Sequence, residues 1–559
     1  MPTHNVVKEA VVKEAVVKEA VVNQAAPVLN QAPPRVDLDE FAANLPLREA
    51  VERYDADWAV SDLGAVGRLV GSAEFQADAE RANVREPQLR TFDRWGSRID
   101  EVDYDESYHR VIREAVAAGA HTSAWAEPRP GANVARAATF MLFAQVEPGH
   151  ACPVSMSHAA VPALVASPEL AAEWVPRLLS REYDGRLGAG KPSALFGMAM
   201  TEKQGGSDVR ANTTRALADG DGRWLLTGHK WFCSAPMSDA FLVLAQAAGG
   251  LSCFLVPRVL EDGTRNVFLI QRLKDKLGNR SNASSEVEFA DTVGYLLGEE
   301  GRGVRTILEM VNRTRLDCVL GSAAGMRQAL AEAAWHVRHR AAFGRRLVEQ
   351  PAMTAVLADL ALESEAATAV ALRLARAHDD DASEAEVAFR RLATAVSKYW
   401  VCKRGPGHAY EAMECLGGNG YTEAFPLARR YREQPVMAIW EGSGNVIALD
   451  VLRALGREAA SAAAFDAELA TARGSYAAYD AHHDRLRRAV AETAEGADES
   501  SARSLVAALA VALQASLLIR HAPPAVADAF VAARLGPDRG SLYGELPSGL
   551  DLAALAARA

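Results

Sequence analysis

The chain has 559 residues, 49% of them apolar and 24% charged, the composition of a soluble globular protein with room for several domains. A net charge of −11 repels nucleic acid and anionic membrane overall, so any DNA contact has to come from a local cationic patch. The six cysteines (152, 233, 253, 318, 402 and 415) form no C-x-x-C pair, which argues against zinc and disulfides and predicts a reducing, cytoplasmic setting with no metal.

Residues 6–22 read "VVKEAVVKEAVVKEAVV". A five-residue period fits neither a coiled coil nor a straight helix, because the valines would spiral round the rod. Residues 1–37 are therefore read as a low-complexity repeat and linker, without the basic start and apolar core of a signal peptide. Residues 38–190 predict a helical domain. Over 191–300 the texture becomes β-rich, with runs such as "GRWLLTGHKWFCSA" and "AFLVLAQAAGGLSCFLVPRVL" joined by Gly, Asp and Ser turns. Helical periodicity returns over 301–455, and an extra helical segment fills 456–559. The run "LVAALAVAL" (505–513) is too short for a bilayer, which needs about 20 residues, so it predicts a buried helix and no membrane partner. The expected fold class is α+β and multidomain: helices, a central β-domain, a helical bundle, then a helical tail.

Five short motifs carry chemistry. "MAMTEKQGGSDV" (198–209) offers Thr201 and Ser207 beside a Gly-Gly turn whose bare amides can face an anionic or carbonyl-bearing ligand; its plain reading is an ordinary turn. "TGHKWFCSAP" (227–236) places aromatics beside Ser234, which suits a flat ring with one hydrogen-bonding nitrogen; the plain reading is a strand burying its aromatics. "HVRHRAAFGRRLVEQ" (336–350) sets Arg340 near Phe343, a cation for a phosphate beside a ring for a base, or simply a basic helix end. "CLGGNGY" (415–421) is a turn able to approach a diphosphate backbone-first. "AIWEGSGNV" (438–446) isolates Glu441 before small residues. It is either a helix start, with Ser443 and Asn445 as caps, or a base held on a turn that lets a flat ligand approach. Neither a P-loop nor a G-x-G-x-x-G fingerprint is present.

Taken in order, T-E-x-x-x-G-S-D, G-x-K-x-x-x-[ST], R-x-x-F-G, L-G-G-x-G-[YF] and [YW]-E-G-[ST] resemble the acyl-CoA dehydrogenase flavoprotein family over about residues 60–455. Longer stretches such as "MTEKQGGSDV", "GHKWF", "RYREQPV" and "IWEGSGN" are similar to one branch of it, bacterial flavoproteins of the DNA-alkylation response. The resemblance implies a central β-barrel and an FAD lying between it and the helical bundle. It implies that Met200, Thr201 and Ser207 line the flavin and its phosphates. Phe232 falls where most members have a tryptophan against the flavin, with Cys233 beside it, and Ser234 takes the place of the threonine on flavin N5. Arg340, Phe343 and Gln350, with Leu416, Gly417, Gly418 and Gly420, would reach the FAD of a neighbouring subunit in a homotetramer. Ile439, Trp440, Ser443 and Asn445 flank the flavin around Glu441, the implied catalytic base. Arg315 matches an arginine of the substrate pocket.

Some members carry their base at the position of Thr314, which cannot serve here. The chain departs from the family at Lys203, usually proline, and at Glu414, usually glutamine, and it shows no CoA-specific motif. In the alkylation-response branch the extra helical domain is linked to duplex DNA. Residues 456–559 hold ten Arg, no Lys and thirteen acids, a net of −3, so DNA binding would rest on Arg485, Arg487, Arg488, Arg520 and Arg539 converging in space. Two functions follow. One is a DNA-protecting or repairing flavoprotein with weak dehydrogenase chemistry; the other is a metabolic dehydrogenase oxidising a short or branched acyl-CoA.

Overall fold

The computed structural model describes residues 29–495 and 498–559, so the valine-rich repeat lies outside the described residues. Helix α1 (Leu45–Arg53) starts behind Asn44, whose side chain accepts the Leu47 amide, the usual way of satisfying a first-turn donor. Helices α2 (Val60–Gly71), α3 (Ala73–Val84), α4 (Glu106–Ala117), α5 (Ala132–Ala144), α6 (Ala151–Leu164) and α7 (Pro168–Leu178) complete the N-terminal helical part. Every residue of α5 is buried; the helix is apolar all round and threads the core.

The helical reading of 38–190 needs one correction. Strands β1 (Gln88–Phe92) and β2 (Arg98–Asp103) form an antiparallel hairpin inside it. The strands "QLRTF" and "RIDEVD" flank the turn "DRWGS", but β1 has few apolar residues and the acids of β2 fall on both faces, so neither shows a clean apolar alternation. The hairpin docks on the β-domain, where Asp100 accepts the Ile270 amide at 2.9 Å.

The β-domain is built from β3 (Phe196–Ala199), β4 (Arg215–Gly220), β5 (Arg223–Ser234), β6 (Ala240–Ala247), β7 (Gly250–Pro257), β8 (Leu269–Leu273) and β9 (Ser284–Leu297). Its strands run β3-β6-β4-β5-β9-β7, with β8 on β9, and an added β6–β7 pairing closes the ring. Closure leaves few unpaired edges. Phe241, Phe254, Phe268 and Phe289 fill the inside of the barrel.

Beyond the barrel, α8 (Gly303–His339) runs for 37 residues. A two-strand hairpin follows, β10 (Ala341–Ala342) and β11 (Arg345–Arg346). Then come α9 (Pro351–Arg376), α10 (Glu384–Glu414), α11 (Pro426–Met437) and α12 (Gly444–Arg457). The tail adds α13 (Ala459–Ala470), α14 (Ala477–Glu495), α15 (Ala502–His521), α16 (Pro524–Phe530) and α17 (Leu552–Ala556). Residues of α5, α8, α9, α10, α12 and α15 share one apolar core. Helix α15, expected as a buried helix, is long and apolar enough to cross a membrane, yet 72% of that stretch is buried inside the protein.

Candidate active site

Glu441 lies on the turn between α11 and α12 with φ +58°, a conformation that non-glycine residues adopt only when their surroundings impose it. Three cationic contacts impose it here. Lys398 of α10 donates to the carbonyls of Trp440, at 2.8 Å, and Gly442. Arg315 of α8 donates through Nε to the Glu441 carbonyl at 3.0 Å and reaches Asp450 of α12 at 3.1 Å. Gly442 is required beside it, because its φ is +107° and a Cβ there would strike Ile447 at 2.9 Å.

The carboxylate itself meets Thr314, whose hydroxyl donates to Oε2 at 2.6 Å. Burial raises the Glu441 pKa, opposed by the Thr314 hydrogen bond and the charges of Arg315 and Lys398. The result suits a base that has to hold a proton in a dry site. Less than one turn on, Asp317 closes a buried, two-pronged ion pair with Arg136 of α5, one arm at 2.9 Å. That pair fixes the rotation of α8 and with it the aim of Thr314 and Arg315. The helix start in "AIWEGSGNV" is present, with Ser443 at the N-cap position of α12 and Glu441 on the turn before it. Ser443 caps nothing with its side chain.

The barrel supplies the other wall. Glu202, fully buried, accepts the amides of Thr213 at 2.7 Å and Thr214 at 3.1 Å, and pairs with buried Lys230 at 2.9 Å. Against the cost of burial, the Thr213 amide and the Lys230 ammonium hold its carboxyl well below the usual range. This anchor fixes the loop carrying Thr201 and exposed Ser207, with Met200 part-buried at its start. Lys203 explains its own departure from proline: its amide donates to His229 Nε2 at 3.0 Å, a bond proline cannot make.

On β5, Phe232 leaves half its surface open, and Ser234 pairs with the Ser284 hydroxyl at 3.0 Å. Cys233 requires a correction: strand alternation turns its side chain into the barrel core, fully buried, so only its backbone is available to a ligand. Cys152 of α6 ties the two walls together. It lies by Ser234, and burial together with the Glu441 charge pushes its thiol up to about 12.

Of the remaining expected cofactor residues, those of the 340–350 hairpin lie far off. Arg340 follows the end of α8, 26 residues beyond Thr314, or about 39 Å along the helix axis. Phe343 and Gly344 form the hairpin tip, both with positive φ, and Phe343 is 95% exposed. Gln350 braces the hairpin by donating to the Ala342 carbonyl at 3.1 Å. Gly417 and Gly418 have open space where a Cβ would stand, whereas Gly420 is packed against the Met413 carbonyl. The first two can face a ligand; Gly420 serves packing, and Leu416 is buried beneath the turn. Ile439 is exposed, and Asn445 faces outward in the first turn of α12.

Comparison with known proteins accounts for this arrangement. Residues 30–185 match the N-terminal domain of the adaptive response protein AidB, residues 197–292 the acyl-CoA dehydrogenase middle domain and residues 301–456 the acyl-CoA dehydrogenase C-terminal domain. The chain is 45% identical over 511 residues to AidB of Escherichia coli (strain K12), covering 91% of this chain and 94% of that one. The chain belongs to the acyl-CoA dehydrogenase family, in its AidB branch. Among solved structures, Caenorhabditis elegans ACDH-11 in complex with C11-CoA superposes with a TM-score of 0.84 at 25% identity, covering 94% of this chain and 96% of that one. The Bacillus anthracis acyl-CoA dehydrogenase complexed with FAD gives 0.61 at 18%, covering 77% of each, a likeness of fold.

This AidB-branch protein is an FAD-dependent oxidoreductase, and its donor set fits the cofactor. The buried Trp440 Nε1 has no hydrogen-bond partner, and the half-open Phe232 ring beside the Ser234 hydroxyl suits a flat heterocycle. At the start of α12 a Cβ on Gly444 would meet Lys403 Nζ at 2.9 Å and Arg503 Nη2 at 3.1 Å. Neither cation has a carboxylate partner among the described residues, and burial together with Arg503 and Lys398 lowers the Lys403 pKa. Two unbalanced cations at a helix N-terminus are the chemistry a diphosphate needs. Sequence reasoning missed Lys398, Lys403 and Arg503, which lie outside the short motifs.

It also missed a groove of about 570 Å³ lined by Arg210, Arg302 and Arg305, where the barrel meets the start of α8. Of the expected DNA-contacting residues, Arg485, Arg487 and Arg488 are exposed on α14. Arg485 and exposed Arg539 both bear on His482, which they and burial hold below its ordinary pKa. Arg520 stands apart, pairing with Glu468 at 2.6 Å.

Proposed function

We propose that this protein is a cytoplasmic, homotetrameric flavoprotein of the DNA-alkylation response, which binds duplex DNA to protect or repair it and retains weak acyl-CoA dehydrogenase chemistry. What carries the reading is the match of residues 30–185 to the adaptive-response domain, joined to a tail on which arginines 485, 487, 488 and 539 are exposed, Arg485 and Arg539 both beside His482. Tetramer formation is supported by the separation of Glu441 and Thr314 from the Arg340 hairpin, which no single dinucleotide spans. A neighbouring chain brings the two halves of a cofactor site together.

In the dehydrogenase step Glu441 removes a proton from the carbon next to a thioester carbonyl. FAD, when bound, supplies a hydride acceptor. Thr314 keeps the carboxylate aimed, and Lys398 with Arg315 hold the turn so that the base does not swing away. Trp440 and the apolar residues around it exclude water, which keeps the pKa of Glu441 raised. A second reading, a metabolic acyl-CoA dehydrogenase, draws on the Arg210, Arg302 and Arg305 groove. Its cations suit CoA phosphates, and Arg305 precedes Thr314 by about 14 Å along α8. Residues Met200, Thr201, Ser207, Phe232, Ser234, Ser443 and Asn445 serve the cofactor in both.

The two readings part on one preparation. Short-chain acyl-CoAs are added anaerobically to the holoprotein and to Glu441→Gln, and duplex DNA is titrated at two salt concentrations. We expect slow, Glu441-dependent bleaching together with salt-sensitive duplex binding. Fast bleaching without DNA affinity establishes the metabolic dehydrogenase instead.

A further inference from the structure

The stretch "LNQAPPRVD" (29–37) was expected to be a plain linker, but it lies along the bundle on the two turns read above as holders of a neighbouring cofactor. Asn30, with φ +57°, makes a reciprocal pair with Ala341: its Nδ2 donates to the Ala341 carbonyl and its Oδ1 accepts the Ala341 amide, both at 2.8 Å. The carboxamide thereby acts as a strand partner for β10, at the base of the Phe343 hairpin. Asn is among the residues best able to hold a left-handed conformation at this place.

The Asn30 carbonyl also accepts the Arg340 guanidinium. Gln31 Oε1 accepts Asn419 Nδ2 at 3.1 Å, which reaches the glycine turn 417–420. Pro33 accepts Trp335 Nε1 at 2.7 Å. The extended Pro33-Pro34 backbone leaves carbonyls free for such outside donors. The far end is fixed where buried Arg35 grips buried Glu40, one arm at 2.8 Å.

We infer that residues 29–35 are a strap that sets the cofactor-holding geometry of the Arg340 hairpin and the glycine turn, with Asn30 as its positioning residue. The inference rests on the reading of Arg340, Phe343 and Gln350 as cofactor contacts. Beyond the Gln350 brace on Ala342 and the packing of Gly420 on Met413, both turns have few constraints: the hairpin has two paired residues per strand, and Gly417 and Gly418 touch nothing at their Cβ positions. Asn30 and Gln31 bond to one turn each, so the strap links in space two segments about 75 residues apart in the chain. It aims Arg340 by occupying part of its donor set and leaving the rest of the guanidinium for an anion.

The test compares full-length Asn30→Ala, Asn30→Asp and Arg340→Ala. FAD affinity is read by flavin fluorescence on reconstituting apoprotein, and hydrogen exchange is followed over 340–346 in the apoprotein. Asn30→Ala removes both bonds to Ala341. It is expected to weaken FAD about three- to tenfold and to speed exchange at Ala341 while Tm stays unchanged. Asn30→Asp keeps the acceptor but sets a carboxylate oxygen against the Ala341 carbonyl and a negative charge beside Arg340, so its effect should be at least as large. If Arg340→Ala weakens FAD and Asn30→Ala does not, the strap is overturned and the hairpin reading stands. If Arg340→Ala also leaves FAD affinity unchanged, the hairpin reading fails and the strap falls with it.

Discussion

Glu441 carries two opposed influences, and their balance gives a signed prediction. Burial raises its pKa, while the Thr314 hydrogen bond stabilises the charged form. Thr314→Val removes that bond at nearly constant volume, so the pKa rises further. The acidic limb of the rate–pH profile should then shift to higher pH by up to about one unit, since a charge-assisted bond is worth roughly 1.5 kcal/mol or more. An unmoved limb would mean that Thr314 does not sense the reacting carboxylate. The same raised pKa bears on stability. A carboxyl whose folded pKa lies above its unfolded value, about 4.3, stabilises the fold below that value and loses the contribution as pH rises through the folded pKa. Glu441→Gln should therefore raise Tm at pH 8 and leave it almost unchanged at pH 4, a difference that thermal scans at the two pH values resolve.

At the scale of elements, the site is a joint between α8, α10 and α12, and Lys398 is the pin. It lies mid-helix on α10 with Leu392, Val396 and Val401 on neighbouring turns, so the sequence offers it as one more polar interruption. Only the packing of α10 against the 438–443 turn shows that its ammonium satisfies two carbonyls. Lys398→Met leaves both without their donor and should cost about 2 kcal/mol in urea denaturation, with kcat falling more than KM rises. An unchanged denaturation midpoint would exclude the pinning role. This case shows what was legible beforehand. Glu441, Phe232 and Ser234 sit in contiguous motifs, Arg315 came with the family resemblance alone, and the barrel strands announce themselves by β-branched and aromatic runs. Thr314 was visible only as a lost base. Lys398, Lys403 and Arg503 acquire meaning from partners 40 to 60 residues away, and no local pattern encodes that. The β1–β2 hairpin escaped because charges on both faces of β2 break the apolar alternation.

For the whole molecule the question is how a chain of net charge −11 approaches duplex DNA. Its overall field opposes the encounter, so binding has to come from a patch whose cations are not already spent. Arg373, Arg520, Arg534 and Arg558 are spent: each pairs with one or two carboxylates that lock the tail onto the bundle. Arg473 pairs with Asp484 at 2.7 Å, and Arg487 reaches Asp466 only at 3.6 Å. Arg485, Arg488 and Arg539 make no ion pair among the described residues. A duplex contacting Arg485, Arg487, Arg488 and Arg539 would release about four counterions, giving a slope of log K against log salt near −3.6. The triple change Arg485→Ala, Arg487→Ala, Arg488→Ala should lower affinity and bring that slope to about −0.9, while FAD content and acyl-CoA bleaching stay as they were, because the three side chains are exposed and point away from the bundle core. Fluorescence anisotropy with a labelled duplex at four salt concentrations reads the slope directly. A triple variant whose slope matches the parent protein would put the DNA-binding face elsewhere, whereas loss of FAD in the same variant would show that α14 belongs to the cofactor site rather than to a separate surface.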